Sequence, residues 1–160
     1  MKKWFFVIFS VVSLFCLSAC NSQGNDLPEE AEPEYAYFEV FKSLFPEGFP
    51  DLTYCAVDFS QTKLSDPSIA KELIQKFCDN NNYTFLPYTV EALKEKGYIN
   101  EFSFPNGCLI SFNDMSLSGN TLVTRASLWN SADGSITNDF TVEKKNGSWE
   151  ITKNENYSIS

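Results

Sequence analysis

From Pro105-Asn106-Gly107 onward the chain alternates apolar and polar residues, and three turn dipeptides punctuate it: Gly119-Asn120, Asp133-Gly134 and Asn146-Gly147. No other feature restricts the fold as tightly. Dipeptides of this kind supply the backbone conformations that two-residue hairpin turns require. Four antiparallel strands are therefore expected near 107–117, 121–131, 135–144 and 148–153. If each dipeptide is a two-residue turn, Val142 faces Ile151 and Lys144 faces Trp149 in the last hairpin. In the middle one Trp129 faces Asn138, Ser127 faces Phe140 and Arg125 faces Val142. In the first, Ile110 faces Trp129, Phe112 faces Ser127 and Asp114 faces Arg125. All three turns then put Ile110, Phe112, Val123, Trp129, Phe140, Val142, Trp149 and Ile151 on one face. A one-residue slip in any hairpin would break that agreement.

The preceding half reads differently. Tyr35 to Phe45 places Tyr37, Val40, Phe41, Leu44 and Phe45 at helical spacing, with Glu39, Lys42 and Ser43 opposite, and Pro46 ends the helix. The aromatic stripe Tyr35, Tyr37, Phe38, Phe41 and Phe45 reads as core rather than as a ligand cage. Leu52 to Phe59 is a strand by its β-branched and aromatic content. Asp66-Pro67 opens a second helix, with a capping carboxylate and Pro in the first turn. Its apolar side is Ile69, Leu73, Ile74, Phe77 and Cys78, and the run Asp79-Asn80-Asn81-Asn82 breaks it. Tyr83 to Leu86 is extended. Thr89 caps a short helix, Val90 to Lys96, that Gly97 stops. The expected class is α+β, with two or three N-terminal helices packed on a four- to five-stranded antiparallel meander in a roll, and the helices covering the Trp129/Phe140 face.

That layout resembles the nuclear transport factor two-like and cystatin-like folds, although the strand at 52–59 departs from the cystatin-like order. The stretch from Phe140 to Ile151, with Lys145-Asn146-Gly147-Ser148-Trp149 at its turn, resembles the last hairpin of many small bacterial lipoproteins.

The start of the chain carries an address. Lys2 and Lys3 precede an apolar run from Trp4 to Leu17, too short to anchor stably across a hydrocarbon core about 30 Å thick. Its length suits a secretory signal. The run ends in Leu17-Ser18-Ala19-Cys20, which resembles the lipobox of bacterial lipoproteins. The resemblance implies that residues 1–19 are removed, that Cys20 is lipidated, and that the mature chain is anchored to the bacterial cell membrane on its extracytoplasmic side. Two or more acyl chains hold a soluble domain firmly at a bilayer. The triplets at Asn82, Asn146 and Asn156 match glycosylation acceptors, but motifs this short arise by chance. Residues 20–34 are polar and acidic, with Pro28 and Pro33, and read as a flexible spacer. Residues 35–160 form one domain.

The formal charge is −9, and losing Lys2 and Lys3 with the leader makes the chain more acidic still. Acidity disfavours binding to nucleic acid. There is no His, which removes His-dependent triads and His-ligated metals. No Gly-rich phosphate loop, nucleophile elbow or C-x-x-C appears. The sequence therefore nominates no catalytic residue, no metal site and no cofactor. Cys55, Cys78 and Cys108 read either as buried small hydrophobes or as one disulfide plus a free thiol, with catalytic thiol chemistry the remotest option. Asp114 and Arg125, opposite each other in the expected register, form the candidate ligand site with Trp129 as a wall. The same pair also reads as a salt bridge that only fixes register. Glu143 and Glu150 face each other on the outer side and read as solvated surface.

Three functions fit. The first is a non-catalytic, membrane-tethered binding module of the cell envelope, its partner an envelope protein, a peptide or a small apolar ligand. The second is a small pocket enzyme with Asp114 or Asp58 as base. The third is an acidic immunity or inhibitor protein that meets a basic partner.

Overall fold

The computed structural model describes residues 32–46, 51–101, 103–132 and 134–159. The leader, Cys20, most of the spacer and Asp133 lie outside the described residues. The elements run α1 (Glu34–Leu44), β1 (Tyr54–Gln61), α2 (Ser68–Asn80), β2 (Thr84–Leu86), α3 (Val90–Glu95), β3 (Gly107–Ser118), β4 (Thr121–Ser131), β5 (Gly134–Lys145) and β6 (Ser148–Ile159). The class is α+β. The sheet has six strands in the order β2-β1-β3-β4-β5-β6, not four or five. β1 runs parallel to both β2 and β3, and the remaining pairs are antiparallel.

The helices are capped where the sequence says. Asp66 Oδ1 accepts the Ser68 N–H at 3.0 Å at the start of α2, and Thr89 Oγ1 accepts the Ala92 N–H at 3.3 Å in α3. Gly97, at φ +76°, ends that helix in a conformation that side chains resist. Pro33 precedes the first turn of α1, and Glu34, assigned above to the spacer, is already helical and buried there. Burial raises its pKa above the ordinary carboxylate value.

The helices cover both faces of the sheet rather than one. α1 and α2 pack on the face that carries Cys55, Val57, Phe59, Cys108, Ile110, Phe112, Leu122, Ala126, Phe140, Val142 and Trp149. α3 and the segment after it cover the other face, where Leu93, Ile99 and Phe104 meet Ala56, Leu86, Leu109 and Trp129. The placement follows from connectivity. A right-handed crossover from β1 to its neighbour β2 puts α2 on one face. The return to β3, on the far side of β1, puts α3 on the opposite one.

The last hairpin has the expected register, with Val142 opposite Ile151 and Lys144 opposite Trp149. Asn146 and Gly147 both have positive φ, as a type I′ turn demands. The other two hairpins depart from expectation. Gly119-Asn120 is a two-residue turn, but the register of β3 on β4 shifts between Asp114 and Ser116, leaving Met115 as a bulge. Ile110 therefore opposes Leu128 rather than Trp129. Asp114 opposes Thr124, and Asn113 takes the place beside Arg125. In the middle hairpin Ser131 pairs with Gly134, so the turn falls one residue earlier than expected. A second shift follows between Trp129 and Ser131, and Trp129 opposes Ser135 instead of Asn138. The net slip is odd, and an odd slip turns a strand over. β4 thus buries Leu122, Thr124 and Ala126, while Val123, Arg125 and Trp129 point to the opposite face from Phe140.

Candidate functional site

The three residues nominated from sequence do not meet. Asp114 lies on the α1 side of the sheet, 9% exposed. Its Oδ2 accepts a short hydrogen bond from the Tyr37 hydroxyl and another, at 2.7 Å, from the Lys63 N–H. Lys63 Nζ donates to the bulged Met115 carbonyl at 2.9 Å, so the segment after β1 clamps the bulge. Oδ1 of Asp114 is buried with no hydrogen-bond partner among the described residues. Tyr37 is fully buried against Phe112 and Phe59. Desolvation, followed by the neighbouring Asp114 carboxylate, holds its phenol far above the ordinary pKa. This site is a sealed carboxylate–phenol pair that ties the first helix to the sheet.

Arg125 lies on the other face and pairs with Asp139, not Asp114. The contact is bidentate, Nε to Oδ1 at 2.7 Å and Nη2 to Oδ2 at 3.0 Å. The guanidinium carbon sits 3.4 Å from the centre of the Tyr157 ring. The hydrogen bonds donated by Arg125 and accepted by Asp139 depress the Asp139 pKa and raise that of Arg125. Both side chains remain about one-third exposed, so the pair is a surface clasp across β4 and β5. Trp129 packs against the α3 cluster and lines a cleft of about 210 Å³ with Leu109, Ile99 and Lys94. Glu143 and Glu150 do face each other, and Lys145 Nζ lies 3.2 Å from Glu143.

A better-placed cleft forms where sequence reading nominated nothing as a group. Its lining comes from three consecutive parts of the fold: Val57 to Ser60 at the end of β1, Pro67 and Lys71 at the start of α2, and Pro87 to Thr89 after β2. Parallel strands β1 and β2 are neighbours, and their carboxyl ends send the chain to opposite faces. The cleft of about 250 Å³ opens at that divergence. Open sheets with parallel strands bind ligands at such points, because the diverging connections cannot fill the space between them.

The chemistry of the cleft is mixed. The Lys71 side chain is half-buried and forms no ion pair among the described residues. Asp58 Oδ1 accepts the Ser60 N–H at 2.8 Å. Asp58 and Lys71 both line the cleft but are not paired with each other. Tyr88 supplies an aromatic wall, with Lys96 Nζ 5.0 Å from its ring centre. The volume suits a small molecule rather than a drug-sized one. Among the described residues no group of three or more Cys, Asp or Glu side chains is arranged to hold a metal ion, and no helix is long and apolar enough to cross a membrane.

The sequence did contain a signal for this cleft. A strand at 52–59, a helix from 66 and an extended piece at 83–86 are the parts of a parallel crossover. No protein-family model, curated protein or solved structure matches the chain.

Proposed function

We propose that the protein is a membrane-anchored cell-envelope lipoprotein, held extracytoplasmically through lipid on Cys20, and that its α+β roll is a non-catalytic binding module. The ligand reading rests on one observation: a cleft at the divergence of β1 and β2 whose half-buried cation, Lys71, has no ion-pair partner among the described residues. A half-buried lysine and a carboxylate that do not pair with each other suit a small polar molecule. An anionic group would meet Lys71 and a donor would meet Asp58. The two charged side chains in an otherwise mixed lining favour such a molecule over a small apolar ligand. The location rests on the Leu17-Ser18-Ala19-Cys20 motif at the end of the apolar run.

Each half has its own test. Cys20→Ala should accumulate as an unprocessed precursor without lipid, and normal processing of that variant would overturn the anchor. For the cleft, thermal unfolding is followed with a panel of amino acids, small carboxylates and inorganic phosphate. At least one should raise Tm in a concentration-dependent way, as mass action requires. Lys71→Gln should abolish that rise. Either no response to any member of the panel, or an unchanged response in Lys71→Gln, would refute the cleft assignment.

A further inference from the structure

Register lays a row of hydroxyls across the sheet. Ser111 on β3 opposes Ser127 on β4, and Ser127 opposes Thr137 on β5. Successive residues of a strand alternate between faces. Ile110, Phe112 and Ala126, the chain neighbours of these serines, belong to the core under α1. Ser111 and Ser127 therefore stand on the α3 side, and Thr137 joins them, its Oγ1 lying 2.9 Å from Ser127 Oγ. Trp129 stands on the same face two residues along β4, beside its register partner Leu109. All three hydroxyl residues and Trp129 remain partly exposed, so the row is an open floor and not a packed layer. The floor runs into the cleft of about 210 Å³ beside α3, because Ser111 belongs to both. The cleft is apolar at Trp129, Leu109, Val90 and Ile99 and charged at Lys94 and Glu101.

We infer that this cleft and the hydroxyl row beside it bind a neutral oligosaccharide, one ring in the cleft against Trp129 and the next over Ser127 and Thr137. The site is separate from the cleft at the divergence of β1 and β2, and its sugar does not depend on a ligand there. A pyranose ring has an apolar C–H face and a rim of hydroxyls. The Trp129 indole offers a broad, stiff surface to the first. Serine and threonine both donate and accept, so they meet a polyol in either sense. The bond between Ser127 and Thr137 occupies only one donor and one acceptor of that pair. Adjacent strands lie about 4.8 Å apart, so the row from Ser111 to Thr137 spans about 10 Å, longer than a single ring.

Other occupants fit less well. The charges of the surface cancel, Lys94 against Glu101 in the cleft and Arg125 against Asp139 past the row, so an anion gains little over a neutral molecule. Both oxygens of Asp139 already hold the guanidinium. An extended peptide pairs with free backbone groups along a sheet edge. Here β3, β4 and β5 each have a strand on both sides, so only side chains face the ligand. An apolar partner would bury the hydroxyls of Ser111, Ser127 and Thr137 against groups that cannot bond them.

The test is calorimetric titration of the full chain with cellotriose, maltotriose and the trisaccharide of N-acetylglucosamine. At least one should bind saturably and more tightly than its own monosaccharide, since a single ring cannot reach from the cleft to Thr137. For that sugar, Ser127→Ala and Thr137→Val should each weaken binding by about threefold to tenfold, the effect of one lost neutral hydrogen bond. Saturation should change the indole fluorescence of the wild type but not of Trp129→Phe. Lys71→Gln should bind the sugar as the wild type does. Absence of saturable binding to all three trisaccharides would overturn the proposal, and the wild-type titration decides this even if a variant fails to fold. Unchanged affinity in both hydroxyl variants would overturn it as well. Binding lost in Lys71→Gln but kept in Thr137→Val would move the sugar to the other cleft, refuting this site while upholding that one.

Discussion

Replacing Tyr37 with Phe removes one oxygen from a fully buried residue and tests the clamp that joins α1 to the bulged strand. The lost interaction is a hydrogen bond to a buried carboxylate, a class that contributes about 1.5–3 kcal/mol. Asp114 would keep the Lys63 N–H at 2.7 Å, while Oδ1 is already unpartnered. Among the described residues only the Lys63 N–H would then remain on Oδ2, so we expect a loss of about 2 kcal/mol near neutral pH. For a domain of this size that lowers Tm by about 6–10 °C. The pH dependence sharpens the test. The phenol of Tyr37 is held far above its ordinary pKa of 10.0. A raised folded value gives stability that is complete below the unfolded value and is lost as pH climbs above it. Above pH 10 the wild type should lose about 1.4 kcal/mol per pH unit that Tyr37→Phe does not lose. Urea unfolding of both proteins between pH 8 and 11.5 should show the gap closing, with the two curves meeting near about pH 11.5. A gap that stays constant over that range would mean the hydroxyl is not in a sealed bond to a charged partner.

Two further substitutions probe the opposite face of the sheet. A Cβ at Gly107 would lie 2.3 Å from the buried Phe104 ring, so Gly107→Ala should destabilise by about 1–3 kcal/mol in urea unfolding, and an effect under about 0.5 kcal/mol would place the ring elsewhere. Arg125→Met should weaken the fold only slightly, and the loss should shrink in high salt because the pair with Asp139 is partly exposed. The depressed pKa of Asp139 gives stability that is present above the ordinary carboxylate range and is lost as pH falls through the folded value. Arg125→Met should therefore show a flatter acid limb, and an unchanged one would argue against the pairing.

Local chemistry carried most of the fold into view. The caps at Asp66 and Thr89, the stop at Gly97 and the turn at Asn146-Gly147 each act within a few residues, and each appears where the sequence places it. The inner-face assignments for Ile110, Phe112, Phe140, Val142, Trp149 and Ile151 also hold. What failed was the orientation of β4. Bulges at Met115 and Asn130 leave no mark in an alternating pattern, since each inserts a residue without changing composition. Gly134 marks one of them after the fact. It was read as the second turn residue, yet it lies in β5, where any Cβ would meet Asn130 Oδ1 at 2.2 Å. Because β4 turns over, Arg125 and Trp129 part from Asp114, and the expected trio dissolves. The cleft was hidden for another reason. Lys71 and Tyr88 are unremarkable in the sequence, Asp58 was read there only as a lone alternative base, and only the parallel placement of β1 and β2 brings the three together.

The first helix finds its seat late. α1 packs across β4, β5 and β6, so the apolar side of Val40, Phe41 and Leu44 has no complete platform until the final strand exists. During synthesis α2, through Phe77, would be the only partner on offer to that stripe before the later strands pair. The seat of the first helix is therefore complete only once β6 has paired with β5.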